Sequence, residues 1–172
     1  MSSRSIITYR NFDGSSELTS IWDVFSGSQV ARGDTSPTNT FRIYNNYLAE
    51  ADIVDAIEMQ IVISTNDQFI VYDQRTSYTD FTRDLINGGY IEIRCTYSGE
   101  SGASRADAFV PFSGAFSGSE FDRIPASGSD NYNEYEMRMN IPASGTGGSW
   151  NTSGSAAPTI FAKWNNEGID PL

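Results

Sequence analysis

Three segments of the chain alternate strictly between apolar and polar residues: AIEMQIVIS (56–64), YIEIRCTY (90–97) and EYEMRMNI (134–141). Ile57, Met59, Ile61 and Ile63 share one face of the first segment, and Ile91, Ile93, Cys95 and Tyr97 one face of the second. Tyr135, Met137, Met139 and Ile141 repeat the pattern in the third. The opposite faces carry Glu58 and Gln60, Glu92 and Arg94, and Glu134, Glu136 and Arg138. A period of two with one apolar and one charged face predicts half-buried antiparallel strands.

Shorter runs extend the rhythm: IITYR (6–10), the neighbourhood of VARGD near residue 30, TFRIY (40–44), FIVYD (69–73), ADAFVPF (106–112) and TIFAKW (159–164). Gly, Asn, Asp and Ser turns separate them, with TNDQ (65–68) reading as a hairpin connection and Asn87-Gly88-Gly89 as a stop. Leu18, Ile21, Trp22 and Phe25 recur at helical spacing, and YTDFTRDLI (78–86) has room for two helical turns. The predicted fold is an all-β antiparallel sandwich, Ig-like or jelly-roll, with one or two short helices. Residues 1–12 are expected to form an N-terminal arm or a first strand. Residues 13–172 then make a single sandwich domain with long loops at 109–125 and 142–158.

Charge narrows the partners. The chain has 22 acidic and 11 basic residues, a formal charge of -11, and Lys163 is its only lysine. Such a surface lacks the clustered cations that nucleic acid or an anionic membrane requires. No apolar run reaches the length of a membrane span, and MSSRSIITYR has no apolar h-region, so the expectation is a chain made in the cytoplasm without a signal peptide.

The chemistry available is equally restricted. Cys95 is alone, which excludes an intrachain disulfide, and the chain contains no histidine. That removes the commonest general base, the commonest zinc ligand and every Ser-His or Cys-His pair. Paired carboxylates of the glycosidase type remain, but Glu58, Glu92, Glu134 and Glu136 are accounted for by cross-strand pairing with arginine. The expectation is a non-enzyme with no cofactor. Asp130, Asn131 and Asn133 are calcium candidates because oxygen donors fall at close spacing there. They lack the glycine and distal glutamate of an EF-hand, and an Asx-rich turn explains the same residues. Arg32-Gly33-Asp34 reads as a turn between strands.

Aromatic residues make up 13% of the chain, enough to divide between a core and a surface. Tyr9, Phe12, Trp22, Phe41, Phe69, Tyr97, Phe109 and Tyr135 fall at expected core positions. Tyr44, Tyr47, Phe112, Phe116, Phe121, Tyr132 and Trp150 fall in or beside loops. Exposed aromatics on a rigid β scaffold bind sugars or another protein. The cluster FVPFSGAFSGSEFDRIP (109–125) is built on phenylalanine, which lacks the polar handle of a sugar platform. Phe112, Phe116, Phe121 and Trp150 are therefore the expected protein interface.

TFRIYNN (40–46), EADIVDAIEMQIVI (50–63), GGYIEIRC (88–95) and EYEMRMNIPASGTGG (134–148) together resemble the small β-sandwich proteins, Ig-like or jelly-roll, in virions of tailed bacteriophages. The resemblance covers roughly residues 40–165 and consists of strand rhythm and loop placement. It implies a virion structural protein, first of all a capsid decoration (cement) protein that binds neighbouring subunits through its N-terminal arm and loops. Head-fibre, neck, tail or adhesin components, and a carbohydrate-binding module, are the alternatives. The implied partners are the major capsid protein or tail and neck subunits, with homo-oligomerisation in the assembly. No catalytic or metal-binding residue follows from it.

Overall fold

The alternating segments pair with one another as the period of two requires. A computed structural model of the chain describes residues 4–19, 21, 30–65, 89–111, 115–116, 123–144 and 158–168. In chain order the strands are β1 (Ile7–Asn11), β2 (Glu17–Leu18), β3 (Asn39–Asn45), β4 (Ala56–Thr65), β5 (Ile91–Ser98) and β6 (Ala103–Ser104). They continue as β7 (Val110–Pro111), β8 (Ala115–Phe116), β9 (Arg123–Ile124), β10 (Tyr132–Met139) and β11 (Pro158–Asn166). One sheet runs β2-β1-β3-β10-β5-β6, with β7 also on β5, and the other runs β11-β4-β8, with β9 also on β4. Every pairing between these strands is antiparallel. The protein is an all-β antiparallel sandwich.

The core lies between the two sheets. Phe41, Ile43, Ile91, Ile93, Cys95, Tyr135, Met137 and Met139 of the larger sheet meet Ala56, Met59, Ile61, Ile124 and Ala162 of the smaller one, all buried. Each such aliphatic or aromatic side chain contributes about 1.5–3 kcal/mol on burial. Phe41 stacks on Tyr135 at 5.3 Å between ring centroids, joining β3 to β10 inside the core. Strand β10 keeps perfect alternation over its whole length, with Asn133, Tyr135, Met137 and Met139 inward.

Two bulges break the alternation elsewhere and correct the expected faces. In β4, Lys163 of β11 stands opposite Gln60 but Asn165 stands opposite Ile57, so Glu58 and Met59 share one partner position. Glu58 absorbs the extra residue at φ 52. The buried set becomes Ala56, Met59 and Ile61, and Ile57 is only half-buried. In β5, Cys95 pairs with Tyr135 and Tyr97 with Glu134, leaving Thr96 without an opposite. Tyr97 therefore turns away from the core that holds Ile91, Ile93 and Cys95.

Other expectations also shift. Leu18 belongs to a two-residue strand rather than a helix, and residues 30–34 form a turn at Gly33 (φ 84) instead of a strand. Of the described residues 106–111, Val110–Pro111 join a ladder. Phe12, assigned to the core by pattern, is exposed at the β1–β2 turn, whereas Tyr44, assigned to a loop, is buried in β3. Residues 4–11 are committed to this molecule's own sheet rather than free as an arm. Arg4 bridges Ile53, the Ser5 N–H donates to Asn166 Oδ1 at 2.7 Å, and β1 pairs with β3. The expected elements at 65–73 (after Thr65) and 78–86, and most of loops 109–125 and 142–158, lie outside the described residues.

Candidate functional site

The outer face of the larger sheet holds the densest set of polar and aromatic side chains. It is built from the residues that alternate with the core: Thr8 and Arg10 on β1, Arg42 and Tyr44 on β3, Tyr132, Glu134, Glu136 and Arg138 on β10, and Glu92, Arg94, Thr96 and Tyr97 on β5. Arg42 Nε donates to Glu134 at 2.9 Å, Arg94 Nε to Glu136 at 2.6 Å and Arg138 Nε to Glu92 at 2.6 Å. The second oxygen of Glu134 accepts from the Thr96 hydroxyl at 3.0 Å. Arg94 and Arg138 also lie over the Phe109 ring, at 4.4 and 4.0 Å from its centroid. Arginine suits this lattice better than lysine, because its planar head stacks on a ring while its edge serves a carboxylate. Of the four glutamates that period exposed as possible acid–base groups, Glu92, Glu134 and Glu136 are each held by an arginine, whereas Glu58, at the β4 bulge, accepts from the Asn165 amide instead.

Beside the ion pairs runs a row of tyrosines. Tyr97 stacks on Tyr132, Tyr132 lies against Tyr44, and Tyr44 meets Tyr47 edge-on, with 4.9 Å between successive centroids. Arg42 covers Tyr132 at 4.6 Å, and the Arg10 guanidinium lies 3.4 Å from the Tyr47 centroid. The hydrogen bond that the Tyr97 hydroxyl donates to Asp130 pushes its pKa up to about 12, and burial pushes Tyr132 up. These phenols stay protonated at physiological pH. Tyr132 is thus covered by Tyr97 on one side and approached by Arg42, and the stack takes up one face of Tyr97.

At the Tyr47 end the row reaches solvent on a stiff turn. Asn46 and Ala49 both take left-handed backbone (φ 56 each), and the Ala49 N–H donates to the Asn46 carbonyl at 3.0 Å. The buried Asn46 side chain accepts from the Glu50 N–H at 2.8 Å and donates to the carbonyls of Glu50 and Ala126 at 3.0 Å each. Its neighbour Asn45, also buried, accepts from Ile6 N–H and donates to the carbonyls of Val54 and Ile124. The turn so clamped displays Tyr47, 38% exposed, and Leu48, 76% exposed. With Phe12 at 63%, these are the large apolar side chains that the described surface leaves open.

The calcium candidates diverge. Asn133 is buried, accepting from the Gly99 N–H at 2.8 Å and donating to the Tyr135 hydroxyl at 3.0 Å. Asn131 donates to the Asn46 carbonyl at 3.1 Å, and Asp130 accepts from Tyr97. Among the described residues no three His, Cys, Asp or Glu side chains gather as a metal site. Of the expected interface, Phe112, Phe121 and Trp150 lie outside the described residues. Phe116 is placed only by its backbone, opposite Ile61 in β8. Tyr47 was legible as a loop aromatic; Leu48 and the asparagine clamps were not, since nothing in their types distinguishes them from ordinary turn residues. Comparison with protein-family models, with characterised proteins and with solved structures returned no match.

Proposed function

We propose that this protein is a non-enzymatic structural subunit that acts by docking onto neighbouring proteins in an assembly, with the virion of a tailed bacteriophage as the setting that the sequence resemblance suggests. The observation that carries the reading is the clamped 46–50 turn, which holds Tyr47 and Leu48 out in solvent at the end of the outer face. An exposed apolar side chain carried on a backbone already held in one conformation loses less entropy on burial in a partner, which is how an interface anchor works. The outer-face ion pairs support the same role. Their charges are already neutralised within the sheet, so they present a wet, non-adhesive surface around the anchor.

The test is co-sedimentation of the purified chain with capsid-like particles assembled without it, alongside sedimentation of the chain alone. Wild type is expected to pellet with the particles, and Leu48→Asp to stay in the supernatant with an unchanged circular dichroism spectrum. A folded Leu48→Asp that still pellets would remove the anchor. A wild type that ignores particles but binds one glycan selectively would transfer the chain to the carbohydrate-binding class.

A further inference from the structure

Among the described residues, two buried side-chain polar atoms have no hydrogen-bond partner: Thr8 Oγ1 and Arg10 Nε. They belong to residues two apart on β1, on the same face, and both residues line one cleft of about 80 Å³ beneath the 46–50 turn. Ile6, Glu17, Asn46, Tyr47, Leu48 and Glu50 complete its lining. A buried N–H or hydroxyl left without a partner costs about 1–3 kcal/mol, so native structures rarely keep one unless something else fills the place.

Arg10 also lacks a counter-ion. Arg42, Arg94 and Arg138 on the same face each grip a glutamate. Arg10 stands opposite Arg42 in register on one side and opposite Glu17 on the other, yet among the described residues no carboxylate comes within ion-pairing distance of it. Its Nη1 donates to the Gly14 carbonyl at 3.0 Å and its plane covers Tyr47. Those contacts fix the guanidinium and leave the Nε–H aimed at nothing. A part-desolvated cation with one free donor, beside a free hydroxyl, calls for an anion with two acceptor oxygens.

We propose that this cleft is a carboxylate-binding site, filled by an Asp or Glu side chain that a docking partner presents beside Tyr47 and Leu48. One oxygen accepts from Arg10 Nε–H and the other from the Thr8 hydroxyl. The assignment rests on the reading of the 46–50 turn as a docking point. The volume fits a single carboxyl-bearing side chain; it is several times what one water needs and well below the roughly 300 Å³ at which small-molecule sites begin. Glu17 and Glu50 stand at the rim as exposed carboxylates, and Glu50 lies 3.9 Å from Arg4. They favour a singly charged ligand over a phosphate.

The test follows the Arg10 Nε–H and the Thr8 and Tyr47 amides of the whole protein by NMR. The ligands are propionate, its neutral isostere propionamide, and blocked Ala-Glu-Ala and Ala-Gln-Ala peptides. The expected result is a saturable downfield shift of the Arg10 Nε–H with propionate, with a Kd on the order of 1–10 mM, and none with propionamide. A tighter Kd for the Glu peptide than for propionate identifies a protein side chain as the source; an equal or weaker one overturns that assignment and leaves a site for free carboxylates. Arg10→Lys, which keeps the charge but lacks Nε, should abolish saturation of the amide shifts, and Thr8→Val should weaken binding several-fold. No saturable shift, an equal response to propionamide, or binding that survives Arg10→Lys would overturn the site and leave water as its occupant. If Leu48→Asp blocks particle binding while this titration stays flat, the docking reading stands and the carboxylate site falls. A saturable titration beside a Leu48→Asp variant that still pellets keeps the carboxylate site and removes Leu48 as the anchor.

Discussion

Asn45 is the residue whose replacement should damage the fold most for the fewest atoms removed. Its side chain is fully buried and holds three backbone groups from separate segments: Ile6 N–H at 3.0 Å, Val54 C=O at 3.0 Å and Ile124 C=O at 3.1 Å. Asn45→Ala orphans the Ile6 N–H and the Ile124 carbonyl, and takes from the Val54 carbonyl one of its two donors, the Ser5 hydroxyl being the other. The bond to Ile124 is fully buried and its carbonyl has no access to water, while Ile6 and Val54 are part-buried and partly rehydrate. Taking about 2 kcal/mol for the first and about 1 for each of the others gives a loss of about 4 kcal/mol. That is a large share of the roughly 5–15 kcal/mol that holds a domain together. With a urea m-value of about 2 kcal/mol/M, the midpoint should fall by about 2 M.

Asn45→Asp separates hydrogen bonding from size. The Asp keeps the acceptor for Ile6 but points an anionic oxygen at two carbonyls, so its folded pKa is raised above the unfolded value of about 3.9. A raised folded pKa means that the variant is most stable below the unfolded pKa and loses stability as pH rises through the folded one. Measured against wild type at each pH, the deficit should widen from about pH 3.5 to about pH 7. Urea unfolding followed by tryptophan fluorescence reads both quantities. An Asn45→Ala midpoint within about 0.5 M of wild type, or an Asn45→Asp deficit that is flat with pH, would show that the amide is not the clamp its geometry describes.

A Cβ on Gly99 would collide with the backbone carbonyl oxygens of Asp130 and Tyr132, which have no rotamer to yield, so Gly99→Ala should cost about 3 kcal/mol or more. Thermal unfolding would register that as about 6–12 °C; Gly128→Ala, where the space is open but φ is +88°, shows what left-handed backbone strain costs without a collision. An equal effect at the two positions would refute the steric argument. In alkaline titration followed by phenolate absorbance, Tyr97 should ionise at about 12, because its hydroxyl donates to Asp130. Since that pKa is raised, the associated stability is present below about pH 10 and is lost as pH climbs toward 12. Tyr97→Phe should remove this last step of the titration, and a wild type whose tyrosines all titrate together near about 10 would contradict the contact.

Period-two patterning carried the core because burial on one face leaves a direct mark on residue type. Ile91, Ile93, Cys95, Tyr135, Met137, Met139 and Ile141 are all buried as the pattern requires. It failed where the backbone gains a residue. The bulges at Glu58 and Thr96 re-aim Ile57 and Tyr97, and neither site carries the glycine that would announce a bulge. Phe12 lies exposed in the β1–β2 turn and Tyr44 buried on the outer face of β3, because an aromatic residue carries no sign of which side of a sheet it takes. The candidate site was less legible still. Asn45, Asn46 and Asn133 have the composition of turns, and their work as buried clamps depends on partners brought from residues 54, 124, 126, 99 and 135 by the fold. Likewise the open donor on Arg10 exists only because three neighbouring arginines find glutamates and this one does not.

The edge of the smaller sheet has a consequence for how such a molecule multiplies. Among the described strands β11 is an edge, and its Ala162 turns its N–H away from β4 and gives it to the Tyr9 hydroxyl of the opposite sheet at 3.1 Å. A strand arriving from another molecule would have to dislodge that phenol before it could continue the ladder there. Open sheet edges invite strand-by-strand growth into fibres, and this latch occupies one of the groups on which such growth would start. At this position contact with another copy falls to side chains rather than to a continued ladder.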